Sequence, residues 1–381
     1  MKILHVINTL AAGGAQSVLA QNLEHWPGAE DRQLVICLTE RGPLSARIEA
    51  AGVRVVHLDV DASRLNPFKF LKLMAAIRSF RPDIVQTWLY HSDLFGGLAT
   101  RLVSRAPIVW GLHHTLGDVR AVKKVTRRVV RRLARLSKSL PQHIICCADS
   151  AFETHVAEGY SARNMSVVYN GVDVERFQPN RAARVEVRDE LGLAHDTRLI
   201  GMFARFDRQK DFATLAHAAS RLAQRHPQVH FVLAGKDVDE HNTRLQGWLK
   251  EAGVQACMHL LGLRSDMPRL MAAMDVVTLS AAYGEALPMV LCEALACGVP
   301  CVATDVGDSA KVIGEIGRVV PRENPQALAQ GWAEILELKN ADYEILSRRA
   351  RDHIVDAFNM TRTAESYHQI YSELLVRKGV S

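Results

Sequence analysis

The sequence has no apolar run approaching the roughly 20 residues that a bilayer-spanning helix requires. Its opening, Met1-Lys-Ile-Leu-His-Val-Ile, carries one charged side chain and a short apolar stretch that meets Asn8-Thr9 and then Gly13-Gly14. It therefore reads as a first strand and turn, not as a signal peptide. Cysteine is sparse: seven residues, with the adjacent pair Cys146-Cys147, no Cys-x-x-Cys spacing and no alternation with histidine. That pattern speaks against a zinc site or a disulfide framework and for reduced thiols in a cytoplasm. The net charge of +6 is accompanied by no aromatic-rich or recognised nucleic-acid motif, which argues against a nucleic-acid partner. Tandem repeats, low-complexity tracts and long linkers are absent too.

What is present is an evenly mixed chain of 381 residues, 48% hydrophobic and 23% charged, long enough for two ordinary domains. Short runs rich in Val and Ile at 3–7, 33–38, 53–58, 84–87, 108–112 and 143–147 alternate with longer stretches of helical apolar spacing, such as 15–23 and 67–80. Val167-Val-Tyr-Asn170-Gly171 closes this series, and a polar connection begins at Phe177-Gln-Pro179. A second series follows at 199–203, 230–234, 259–261, 276–280, 300–304 and 318–320. Such alternation predicts an α/β protein of two Rossmann-like, doubly wound domains facing each other across a cleft, divided near residue 175.

The stretch from Asp275 to Asp305 carries the most chemistry. A buried-strand pattern, Asp275-Val-Val-Thr-Leu-Ser280, leads to a loop with Glu285 and then to a helix read as Pro288 to Cys297. Pro288 suits the first turn, Gly298 a left-handed C-terminal cap, and Pro300 stops any continuation. Glu285 then lies just outside the helix N-terminus and Glu293 about two turns in. Free backbone N–H groups along Ala286, Leu287, Pro288 and Met289 would supply anion donors beside a carboxylate able to hold hydroxyls, the pairing a nucleotide sugar needs. Taken alone, the segment is also compatible with an ordinary strand–helix–strand unit bearing surface glutamates.

The flanks sharpen this. Gly201-Met-Phe-Ala-Arg205-Phe-Asp-Arg-Gln-Lys210-Asp-Phe, Phe231-Val-Leu-Ala-Gly235, Leu260-Leu-Gly262, Ser280 through Glu293 and Gly298-Val-Pro300-Cys-Val-Ala-Thr-Asp-Val-Gly307 follow one another in order. In this the chain resembles family 4 of the retaining glycosyltransferases, over essentially its whole length, and the resemblance implies the GT-B fold. It implies an acceptor-binding domain over 1–175, a nucleotide-sugar domain over 176–359, and a final segment, 360–381, whose helix crosses back to the first domain. By the same resemblance Glu285 contacts hydroxyls of the transferred sugar, Glu293 grips the nucleotide ribose, and Arg205 and Lys210 bind the diphosphate. A histidine after the strand 108–112 contacts the sugar, a role open to either His113 or His114. Two departures bear on the sugar: Ala286-Leu287 stands where the family more often has Gly-Phe, and Asp308-Ser309-Ala310-Lys311 replaces a stretch that usually ends in glutamate.

Other residues are weaker candidates. Gly13-Gly14 would let backbone approach the diphosphate or acceptor, with the role of Gln16 open. Lys236 follows the turn glycine Gly235, and His91 sits in a first-domain edge loop as a candidate acceptor contact. Asp59-Val-Asp61 and Asp237-Val-Asp239 could hold a divalent metal, but Arg205 and Lys210 already offer the charge a metal would supply, so no metal and no cofactor are expected. Arg120–Lys138 contains no acidic residue and places Val122, Val125, Val129, Leu133, Leu136 and Leu140 at helical spacing. It reads as a basic amphipathic helix, either a solvated surface helix or a contact to an anionic membrane at the inner face.

The expectation is a cytoplasmic, peripherally membrane-associated glycosyltransferase. It would move a sugar from a nucleoside diphosphate sugar to a glycan or polyprenyl-linked acceptor in bacterial surface polysaccharide or lipopolysaccharide synthesis. A nucleotide-sugar epimerase of similar fold and a non-catalytic nucleotide-sugar or membrane-binding protein are the alternatives.

Overall fold

The computed structural model describes residues 1–11, 13–59, 67–116 and 124–379. It divides into two units, one of residues 1–171 with 360–381, the other of residues 172–359.

In the first unit β1 (Lys2–Ile7), α1 (Gly14–Glu24), β2 (Arg32–Cys37), α2 (Pro43–Ala50), β3 (Arg54–His57), α3 (Pro67–Phe80), β4 (Ile84–Trp88), α4 (Tyr90–Val103), β5 (Ile108–Leu112), α5 (Lys124–Leu136), β6 (His143–Cys146), α6 (Asp149–Ala157) and β7 (Met165–Val167) alternate along the chain. The strands form one sheet in the order β3-β2-β1-β4-β5-β6-β7, every pair parallel. The order reverses between β1 and β4, so the loops leaving those two strands diverge and open a crevice at the carboxyl edge. β4 and β5 are buried along their whole length, as expected of strands covered by helices on both faces. β7 was not foreseen. It has only three residues with Ser166 at its centre, too short and polar for a hydrophobic-run signal.

The second unit contains α7 (Arg181–Glu190), β8 (Arg198–Phe203), α8 (Phe212–Ala223), β9 (Val229–Ala234), α9 (Thr243–Glu251), β10 (Met258–Leu260), α10 (Met267–Ala273), β11 (Val276–Leu279), α11 (Met289–Ala296), β12 (Cys301–Thr304), α12 (Ser309–Ile313), β13 (Arg318–Val320), α13 (Pro325–Leu336) and α14 (Asn340–Ala357). Its sheet order, β10-β9-β8-β11-β12-β13, is again all parallel, with the reversal between β8 and β11. Side chains of Asn180, Asp211, Asn242 and Asn324 accept N–H groups at the starts of α7, α8, α9 and α13, satisfying donors that helix geometry leaves open.

The remaining helix, α15 (Met360–Arg377), belongs to the first unit, where Met360, Tyr367, Tyr371 and Leu374 are buried in the same core as Ile3, Leu19 and Trp88. The first unit ends at Gly171, ahead of the boundary at 175 read from sequence. Val172 donates its N–H to the Phe358 carbonyl at 2.8 Å and pairs with Asn359, which ties residues 172–175 to the second unit.

Two further readings change. The helix read as Pro288–Cys297 is Met289–Ala296, because Pro288, at ψ 94°, is its extended N-cap and Cys297 its C-cap. The basic helix is seen as α5, with Arg120 to Lys123 outside the described residues. Its buried side chains are Val130, Leu133 and Ala134, while Val129 and Leu136 are only half-buried, so the core-facing stripe is rotated by about one residue from the predicted one. Arg127, Arg128, Arg131, Arg132 and Arg135 are exposed.

Candidate active site

The loops leaving β8 and β11, the two strands at the reversal of the second sheet, hold the candidate donor residues. After β8 the chain passes through Arg205 into one short turn, Arg208–Lys210, capped by the Asp207 carboxylate on the Gln209 N–H. Asp211 adopts a left-handed backbone, φ 48° and ψ 60°, while its side chain caps α8. The loop is stitched to its neighbour: Ser280 Oγ donates to the Lys210 carbonyl at 2.8 Å, and the Ala282 N–H donates to the Gln209 carbonyl at 2.8 Å.

That stitching brings Lys210 and Glu285 together. Lys210 Nζ stands 2.5 Å from Glu285 Oε1, which also accepts from Gln209 Nε2 at 3.0 Å. Both side chains of the ion pair are only 11–13% exposed, so it is far less screened than a surface pair. Arg205 is more loosely held. It is 58% exposed and reaches Asp207 at 3.3 Å and the Gln209 amide oxygen at 3.4 Å. Gln209 thus bridges Arg205 and Glu285, a function that sequence reasoning missed. Its position between the Arg and the Lys was the only available signal.

The backbone about Glu285 is shaped by close approach. Gly307 has φ +58°, and a Cβ there would lie 2.4 Å from the Glu285 carbonyl oxygen; the next residue, Asp308, donates its N–H to the Ala286 carbonyl at 2.8 Å. Gly235 admits no side chain either, since a Cβ would stand 2.0 Å from the Ala204 carbonyl oxygen. Of the stretch expected to offer backbone donors, Pro288 has no N–H, so Ala286, Leu287 and Met289 carry that property. Glu293 projects from the middle of α11, half-buried and with no hydrogen-bond partner among the described residues. Burial pushes its carboxyl up to about 7, against the opposing field of Arg176.

In the first unit the candidates lie in loops at the carboxyl ends of adjacent strands. Gly13 is the N-cap of α1 and Gly14 its first residue, with Gln16 buried just inside. His91, in the first turn of α4, is half-buried. The two histidines after β5 separate clearly. His113 is buried, stacks on Trp88 at 5.0 Å and 18°, and has no hydrogen-bond partner on either ring nitrogen among the described residues; burial lowers it to about 3, so it is neutral at any physiological pH. His114 is exposed, its ring 6.2 Å from that of Tyr90. Trp88 is itself fixed, donating from Nε1 to His5 at 3.2 Å and stacking on Tyr367 of α15 at 5.8 Å. This support for His113 was invisible in sequence, because Trp88 and Tyr367 are far apart along the chain.

Lys236 is exposed, its carbonyl accepting the Phe206 N–H at 2.8 Å. Asp61 lies outside the described residues. Among those described, no group of three or more His, Cys, Asp or Glu side chains is placed to hold a metal ion, and Asp59 and Asp237 both have positive φ, 51° and 61°.

Residues 12–176 match the model of Glycosyltransferase Family 4, and residues 184–353 match that of Glycosyl transferases group 1. The chain is 25% identical to the Escherichia coli UDP-Gal:alpha-D-GlcNAc-diphosphoundecaprenol alpha-1,3-galactosyltransferase, covering 99% of this chain and 98% of that one. It is 23% identical to the N,N'-diacetylbacillosaminyl-diphospho-undecaprenol alpha-1,3-N-acetylgalactosaminyltransferase of Campylobacter jejuni, covering 90% of this chain and 91% of that one. Its fold superposes on the crystal structure of Anabaena HepE in complex with UDP with a TM-score of 0.85 at 22% identity, over 98% of this chain and 100% of that one. With one model of this enzyme class on each half of the chain and two parallel Rossmann-like sheets beneath them, the protein belongs to the family 4 glycosyltransferases and has their GT-B fold.

Proposed function

We propose that the protein transfers a sugar, with retention of anomeric configuration, from a nucleoside diphosphate donor to a polyprenyl-diphosphate-linked glycan during bacterial surface polysaccharide synthesis. The observation that carries the donor side is the Lys210–Glu285 pair, held with Gln209 in the loops at the β8/β11 reversal. Breaking the bond from the anomeric carbon to the diphosphate develops negative charge on the leaving phosphate. Fixed cations placed there stabilise the transition state more than the ground state. Lys210 and Arg205 take that role, assisted by N–H groups at the start of α11. Glu285, oriented by Lys210 and Gln209, holds hydroxyls of the transferred sugar, and Glu293 receives those of the ribose. His113, neutral and with ring nitrogens unpartnered among the described residues, is assigned to the transferred sugar.

The two relatives that act on undecaprenyl-diphosphate-linked acceptors support the acceptor class. We also assign the exposed arginine face of α5 to an anionic membrane surface at which such an acceptor would reside. No helix among the described residues is long and apolar enough to cross a membrane, so contact would be peripheral. The test is a panel of nucleoside diphosphate sugars offered with and without undecaprenyl-diphosphate glycans. Free nucleoside diphosphate and an extended, retained-configuration product are expected. A converted nucleotide sugar would mark an epimerase, and no turnover of any donor a binding protein.

A further inference from the structure

The second unit has a pocket of about 890 Å³ at the amino edge of its sheet, lined by residues of α7, β8 and α14 and by the chain entering β12. Arg198 opens β8 and Asp275 immediately precedes β11, whereas Lys210 and Glu285 follow the same two strands. At about 3.3 Å per residue, the six residues of β8 separate the two edges by roughly 20 Å. The pocket is therefore distinct from the donor loops.

Its wall has more positive charge than its surroundings neutralise. Three guanidiniums converge on the fully buried carboxylate of Asp275: Arg184 at 2.8 Å, Arg188 at 2.8 Å and Arg198 at 2.9 Å, with the Leu199 N–H a fourth donor at 2.8 Å. One carboxylate balances one of the three. Arg184 and Arg198 both line the pocket and are each 35% exposed. Arg351 directs its guanidinium at the carbonyls of Phe177, Ala296 and Val174 and pairs with no carboxylate among the described residues. Arg181 and Arg348 are exposed on the same walls and have no ion pair or hydrogen bond among the described residues. Among the described residues, the carboxylates lining the pocket are Glu344 and Asp352, on α14. Like charges so crowded repel one another: Asp275 holds the lining Arg184 above its usual range against the effect of burial, whereas burial, reinforced by Arg184 and Arg198, holds Arg188, buried behind the wall, below its own. A bound anion would relieve that repulsion. Planar guanidiniums match phosphate oxygens two at a time, and the volume suits a small molecule better than a lone ion.

We propose that this pocket is a second anion site, taking a phosphorylated small molecule and independent of the nucleotide-sugar donor. Glu344 and Asp352 would accept hydroxyls of such a ligand. The probe is inorganic pyrophosphate, titrated calorimetrically into the full-length chain in two forms. One is an Arg205→Ala, Lys210→Ala variant, and the other is wild type with UDP in excess. One equivalent should bind in both forms, and tenfold more salt should weaken it at least fivefold. Arg181→Gln combined with Arg348→Gln should weaken binding at least tenfold. Because both arginines are exposed, circular dichroism melts of that variant should match wild type and exclude a folding defect. If excess UDP and the Arg205→Ala, Lys210→Ala change both abolish pyrophosphate binding, the donor loops are the only anion site and the proposal fails. It fails equally if the glutamine variant binds as tightly as wild type. Failure of the donor assignment would show separately, as UDP affinity unchanged by the Arg205→Ala, Lys210→Ala change.

Discussion

Lys210 and Arg205 carry the same charge in different surroundings, and their variants should differ accordingly. Arg205→Ala removes one exposed cation and should lower turnover about tenfold, whereas Lys210→Ala also releases Glu285 and should cost roughly a hundred- to a thousandfold, the range of lost electrostatic stabilisers. Steady-state rates with saturating donor separate the two, and wild-type turnover in a folded Lys210→Ala protein would remove its assigned role. Glu293 makes a prediction in pH. Its carboxyl titrates near 7 in the folded chain but near the ordinary glutamate value when unfolded, so it favours the folded state at low pH. That contribution is lost as pH rises from about 4.5 through 7. Glu293→Gln should therefore raise the melting temperature at pH 8, by an amount reflecting no more than about 3 kcal/mol, and leave it nearly unchanged at pH 4. The same variant should bind UDP more weakly, and UDP affinity in the wild type should climb as pH passes 7, because the ionised form is the better acceptor for ribose hydroxyls. At this scale spacing and resemblance singled out Arg205, Lys210 and Glu285, which the fold brings into one cluster of contacts. The sequence could not expose Gln209, whose significance is its reach to Glu285, nor distinguish His113 from His114, since burial under Trp88 is a property of the assembled fold.

Elements position these side chains, and two of them can be tested as elements. The loop 305–308 presses so closely on Glu285 that Gly307→Ala, strained at φ +58° and colliding with a carbonyl oxygen, should shift the Glu285 backbone. The expected outcome is at least a tenfold loss of turnover, while a circular dichroism spectrum of wild-type shape shows the sheets retained. On α5, replacing Arg127, Arg128, Arg131 and Arg132 with glutamine should reduce sedimentation with anionic vesicles at low salt while sparing donor hydrolysis, because each cation near such a surface contributes about 1 kcal/mol. Equal sedimentation of variant and wild type would make the helix an ordinary solvated face. Strand and helix positions were largely legible here because buried parallel strands write themselves as continuous Val and Ile runs. What escaped was local. Pro288 caps α11 instead of entering it, β7 is too short and polar to register, and the α5 stripe turned because arginine stems leave little to distinguish Val129 from Val130 until the core is in place.

For the whole molecule, the proposed assignment of Arg205 and Lys210 to the donor diphosphate supplies the needed charge from side chains, so transfer should survive a chelator. Activity lost in EDTA and restored by magnesium or manganese would overturn that. Removal of residues 360–381 should act on one unit more than the other. Met360, Tyr367, Tyr371 and Leu374 lie in the first unit's core, and each such buried side chain contributes about 1.5–3 kcal/mol. The truncated chain should lose the first unit's cooperative melt and still bind UDP through the second; retention of both melts would contradict the division. The placement of α15 also sets an order of events during synthesis. Residues 172–359 form a unit from one continuous segment, whereas the first unit must await Met360–Arg377, which leave the ribosome after every residue of the second. The half translated first is thus the half completed last. Until then the faces of Trp26 and Trp88 that α15 covers stay open on the nascent chain, which makes them the surface where a chaperone, or a neighbouring unfinished copy, would first take hold.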